Sequence, residues 1–216
     1  MALESAPPWL QQGAFGSGKT IQFLLPVVWV LLVQRRRPKF AGPQIRDLIE
    51  GALFGLLVAA LMGVMYVAWL KPSGHFDQAA VEARQKIAGF GIASLPAFIA
   101  MAVFYSGLHS LLEEYYWRWF VFGQLARSKN LSLAIMVSSV AFSAHHVLVL
   151  AKYFGWDSPL MWLFVVGVII GGGVWAWLYH RSGSLWGPWV GHAIVDAAIF
   201  AIGLDLVNST PAGPLG

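Results

Sequence analysis

Apolar residues in this chain come in long unbroken runs divided by short polar breaks, the pattern of helices wrapped in lipid rather than of elements with one wet face. Leu48–Leu70, Ile87–Leu108, Leu131–Leu150, Leu160–Tyr179 and Leu185–Leu204 each read as a spanning helix, with Trp69 as an interface anchor. Ile21–Val33 is shorter. At 1.5 Å per residue it reaches about 20 Å, so it crosses only if Phe15–Thr20 extend it or the bilayer thins. Ser110–Leu125 is helical by pattern but carries Glu113, Glu114 and Arg118, and is expected to cross fully or in part before the basic break at Arg127–Asn130. Between the runs lie a polar loop from Lys71 to Lys86, a break at Lys152–Pro159 and a turn at His180–Gly183. The expectation is an all-α, multi-pass transmembrane bundle of six to eight helices. Its parts are a short polar tail (1–12), N-terminal membrane helices (13–86), a functional core (87–205) and a C-terminal tail (206–216).

Composition sharpens this picture. Of 216 residues, 58% are hydrophobic and 11% charged, and the mean hydropathy is +0.65, which excludes an ordinary soluble domain. With no cysteine, disulfides, thiolate ligands and a cysteine nucleophile are excluded, leaving carboxylates, imidazoles and hydroxyls for any chemistry. The excess of positive charge gathers at Arg35, Arg36, Arg37, Lys39 and Arg46 between two apolar runs, a topology signal rather than a nucleic-acid surface. Gly167 and Gly171–Gly173 are expected to let another backbone approach closely.

Gly13–Thr20 spells G-x-x-x-x-G-K-[ST], the loop that cradles nucleotide phosphates. That chemistry needs an apolar strand before the glycines and a soluble helix after them. Here Ala6–Gln12 precede, and a membrane segment containing Pro26 follows. No nucleotide partner is expected.

An ionisable side chain at membrane depth costs at least about 2.5 kcal/mol on insertion scales, so each one asks for a reason. Three motifs concentrate them. In Glu113–Arg118, Glu114 and Arg118 stand four apart on one helical face and can pair, while Glu113 points about 100° away. In Phe142–His146, Phe142 and His146 share a face, with His145 turned about 100° toward a different neighbour. In His192–Asp196 both ionisable groups again share one side. Buried singly, such groups are costly; brought together across a shared cavity, they satisfy one another. His109 is expected near the interface, His75 and His180 in loops, and Trp186 and Trp189 at an entrance for lipid or peptide.

The series E-E-x-x-x-R, F-x-x-x-H and H-x-x-x-D, in order on successive membrane helices and led into the last by Gly183–Trp186, resembles the CPBP family of CAAX prenyl endopeptidases and bacteriocin-processing or immunity proteins, often called Abi. The resemblance covers residues 90–205. It implies a glutamate-dependent intramembrane endopeptidase in which Glu113 and His146 activate a water. His192 and Asp196 then stabilise the oxyanion, the catalytic set also includes Glu114, and Arg118, Phe142 and His145 support it. Many relatives carry asparagine where this chain has Asp196. An ionised aspartate donates no hydrogen bond, so Asp196 serves an oxyanion only when protonated; alternatively it accepts from His192 and fixes the tautomer.

Three readings compete: a hydrolase cutting near the membrane surface in a lipidated or hydrophobic-tailed protein, an inactive scaffold or immunity protein of the same fold, and a transporter or proton relay. Metal-independent chemistry is favoured, since no H-E-x-x-H pattern is present. Zinc held by Glu113, His146, His192 and Asp196 is the alternative. Lipid and a protein or peptide substrate are the expected partners, and a prokaryotic inner membrane the expected location.

Overall fold

The computed structural model describes residues 7–92 and 94–216, which are mostly helical with no strand among them. Among the described residues six helices are long and apolar enough to cross a membrane, and the chain is an integral multi-pass membrane protein. It divides into two units, Met1–Phe40 and Ala41–Gly216.

The first unit holds α1, Pro8–Val28, which starts on a proline suited to a first helical turn and continues as a wider π-helical segment through Val33. Residues 8–12 are therefore helix rather than tail. The extension needed for a crossing is present, because Gly16–Val33 forms one apolar stretch. The octapeptide Gly13–Thr20 lies inside α1, where Thr20 Oγ1 donates to the Gly16 carbonyl at 2.8 Å. A helix commits its backbone N–H groups to its own axis and forms no phosphate-cradling loop.

The second unit contains α2 (Ile45–Leu70), α3 (Asp77–Gly89), α4 (Leu95–Ser128), α5 (Leu131–Phe154), α6 (Pro159–Ser182) and α7 (Trp186–Asn208). The polar stretch after α2 is largely helical, since Asp77–Gly89 forms α3 rather than a loop. Residues 87–89, assigned by hydropathy to the next span, also belong to α3. Gly91, at φ +73°, turns the chain, and Ser94–Leu95–Pro96 opens α4 with proline in its first turn. From there no breaker intervenes before Lys129. The two segments expected at 87–108 and 110–125 are one helix of 34 residues, relaxed by π-helical turns at Phe104–His109 and Tyr115–Phe122. Likewise α6 runs on through His180 and stops where Gly183 takes the left-handed conformation at φ +68°.

Packing is densest between α2 and α7 and between α5 and α6. The first pair is set by glycines: a Cβ on Gly55 would stand 2.7 Å from the Gly191 carbonyl oxygen, and one on Gly187 would stand 2.6 Å from that of Asp47. Gly172 does the same for α5 and α6, where a Cβ would come within 3.2 Å of the Phe142 ring. Small residues at these crossings let the backbones meet without side chains between them. Polar ties close both ends. At one end Arg181 pairs with Glu50, and Ser184 Oγ donates to the Gly42 carbonyl at 3.2 Å. At the other, Asp205 accepts from Tyr66 and Lys71, each at 2.5 Å, and Arg84 binds the carbonyls of Val207 and Gly213.

Candidate active site

The regular turn Ser110–Glu114 lies between the two π-helical segments of α4. Such widened turns often mark functional positions, because the carbonyls they loosen are open to other partners. Here Trp189 of α7 donates its indole N–H to the Gly107 carbonyl at 2.9 Å, tying α7 to the wide turn just before the glutamates.

Glu114 and Arg118 are 0% and 1% exposed, with 3.0 Å between carboxylate and guanidinium. The guanidinium carbon also sits 4.5 Å from the centroid of the Phe142 ring and 5.4 Å from that of Trp175. The second oxygen of Glu114 meets His192 Nδ1 at 2.8 Å. A carboxylate paired with arginine can only accept, so Nδ1 carries the proton and Nε2 is turned toward the site. Trp175 stacks on the imidazole with centroids 4.4 Å apart and an interplanar angle of 15°. A hydrogen bond at its edge and a ring on its face thus fix His192.

Glu113, one residue earlier, faces histidines. Its carboxylate lies 3.4 Å from His145 Nε2, 3.8 Å from His192 Nε2 and 3.9 Å from His109 Nε2. A ring nitrogen of His146 falls with Glu113 and His145 in a group whose ligand atoms are all within 4.8 Å of one another. One water bridges groups up to about 5.6 Å apart, taking two bonds of 2.8 Å, so Glu113 is within a single water's reach of both His146 and His192. His146 Nδ1 donates to its own helix at the Phe142 carbonyl, 3.3 Å away, which leaves Nε2 as its free lone pair. Phe142, 1% exposed, packs edge-on against His145, His146, His192, Trp117 and Trp175, and so joins the rings of the site through one buried apolar side chain.

Several expectations change. His145 does not face away: Glu113 approaches between the two adjacent imidazoles, whose centroids are 3.9 Å apart, so both faces of α5 see the same carboxylate. His109, one turn earlier on α4, stands 3.9 Å from the Glu113 carboxylate rather than lying apart at the interface. Asp196 stands 3.6 Å from His192 Nε2, beyond hydrogen-bond range, and the tautomer is fixed at Nδ1 by Glu114 instead. The ligand group is also not the four-residue zinc set: His145 replaces His192 and Asp196 beside Glu113 and His146. A carboxylate and two imidazoles are donors suited to zinc, and the site provides that set. Trp175 gave no signal in the sequence, standing in an apolar helix like any packing tryptophan. His145 was legible only as a neighbour of His146.

Residues 95–198 match the family described as type II CAAX prenyl endopeptidase Rce1-like. No curated protein and no solved structure matches the chain.

Proposed function

We propose, because residues 95–198 belong to the Rce1-like family of CAAX-protease-type endopeptidases, that Glu113 is the general base of an intramembrane peptide hydrolysis. The observation that carries this reading is that Glu113 lies within one water of His146 and His192, next to the buried Glu114–Arg118 ion pair. A water held between Glu113 and His146 Nε2 gives its proton to Glu113 as its oxygen attacks the scissile carbonyl carbon. The carbonyl π electrons move to oxygen, where His192, protonated at Nε2 as well and so an imidazolium, donates from Nε2 to meet the new charge while Nδ1–H stays bonded to Glu114. Protonated Asp196 is the second donor. When the C–N bond breaks, Glu113 returns the proton to the departing amine, so the carboxylate is regenerated. General base catalysis contributes about 10²- to 10⁴-fold, and a preorganised donor about 10²- to 10³-fold.

Glu114 and Arg118 take no part in bond changes in this reading; they hold His192. Three spans bring ionisable groups to one place, and Trp186, 37% exposed beside Trp189, flanks an approach from lipid. That approach suits a substrate whose lipidated or hydrophobic tail stays in the membrane. Arg35, Arg36, Arg37 and Lys39 precede α2 and Arg46 lies in its first turn, so the positive-inside tendency puts the start of α2, and with it Arg181 and Ser184, on the cytoplasmic side of a prokaryotic inner membrane. His192 lies in the second turn of α7 from that same end. The test compares the termini of membrane proteins in cells carrying wild type or Glu113→Gln. A set of longer, uncut C-termini in the variant is the expected result, and identical termini would reject the proposal.

A further inference from the structure

We propose that Glu113, His145 and His146 form a binding site for a transition-metal ion of the zinc class, and that its occupancy switches the hydrolytic centre off. His145 stands at one of the unspecified positions of F-x-x-x-H, so nothing in the motif requires an imidazole there. Yet the chain places its Nε2 3.4 Å from Glu113 Oε1. Two ligand atoms bound at about 2.0–2.1 Å to a tetrahedral zinc are separated by about 3.3 Å, so this pair already has the spacing of co-ligands. The third nitrogen, from His146, lies within 4.8 Å of both.

The surroundings are those of ligating histidines. His146 donates Nδ1–H to the Phe142 carbonyl, which fixes the ring and leaves Nε2 as its electron pair, the outer bond by which a ligand imidazole is usually held. The ring of Trp117 lies nearly parallel to His145, at 12° and 6.4 Å between centroids. One carboxylate and two imidazoles favour zinc, cobalt or nickel over magnesium and calcium, which prefer all-oxygen shells. Three protein ligands leave a fourth position for water, and His145, with its side chain 41% exposed, gives an ion a route inward. The bound ion would occupy the electron pair with which Glu113 accepts a proton from water. This blocking role rests on the hydrolytic reading above; the metal site does not.

The full chain, purified in detergent and stripped with a chelator, is titrated with zinc chloride against a chromogenic zinc indicator and with cobalt chloride in the visible range. Peptide hydrolysis is followed in the same samples. One ion per chain is expected, with affinity falling at least tenfold in His145→Asn and staying within twofold in Asp196→Asn. Hydrolysis is expected to be at least tenfold slower in zinc-loaded than in stripped protein. A zinc-dependent rise in melting temperature that His145→Asn abolishes reads the same site without reference to activity. No stoichiometric binding, or binding indifferent to His145, overturns the site. Hydrolysis that appears only when metal is added overturns the blocking role. Intact zinc binding with no hydrolysis at any metal level sinks both the hydrolytic reading and the blocking role, and leaves the metal site standing.

Discussion

Glu113 and Glu114 are neighbours on one helix, yet they meet different partners. Glu114 is sealed between Arg118 and His192, its charge matched and its oxygens committed. Glu113 is also nearly buried, at 4% exposure, but no cation as fixed as arginine meets it; three histidines do, each of which can gain or lose a proton. The 100° between successive helical positions separates them. Held close to a permanent charge, a carboxylate becomes structural, whereas imidazoles leave it free to exchange a proton. On the proposed reading, one motif supplies both an architecture and a reagent.

Substitutions can break that contrast. The largest effect is expected at Glu113, where Glu113→Gln lowers peptide hydrolysis by about 10³-fold or more, as loss of a general base does, while the melting temperature changes little. Single-turnover cleavage alongside thermal melting checks both halves. Glu114→Ala strands the guanidinium of Arg118 in the interior and is expected to destabilise the fold by about 3–5 kcal/mol, seen as a lower denaturation midpoint. The double variant Glu114→Leu with Arg118→Met recovers most of that stability without recovering activity, because His192 then lacks its Nδ1 partner. An unchanged rate in the double variant would show that His192 needs no such holder.

Smaller effects come from further out. Gly55→Ala places a methyl 2.7 Å from the Gly191 carbonyl. A cost of about 1–3 kcal/mol is expected, with a fall in turnover greater than the change in KM, since α7 carries His192 away from Glu113. Lys71→Met removes an ion pair whose side chains are 44% and 47% exposed. It is expected to cost under about 1 kcal/mol in thermal melting and leave hydrolysis unaltered.

The sequence disclosed the spans that begin and end on clear breakers. Asn130 and Ser158 accept from the backbone at the starts of α5 and α6, and Gly183 stops α6, so periodicity and punctuation agree there. It divided α4 wrongly because hydropathy falls where Glu113, Glu114 and Arg118 enter, although charges that satisfy one another do not end a helix. The motif residues were legible as types and spacings, and the geometry brings them to one place. What stayed hidden depends on contacts between helices: Trp175 on His192, both faces of the histidine pair turned to Glu113, and the glycine crossing of α2 with α7. None of these leaves a periodic trace along a single chain.

At 1.5 Å per residue, the 34 residues of α4 extend about 51 Å, against a hydrocarbon layer of about 30 Å. A rod that much longer than its solvent is thick must lean steeply or stand proud of one leaflet, and the lipids beside it adjust by stretching or tilting. If the whole excess stands proud of one leaflet, the middle of the rod, where Glu113 sits, is carried about 10 Å from the bilayer centre toward that leaflet's headgroups.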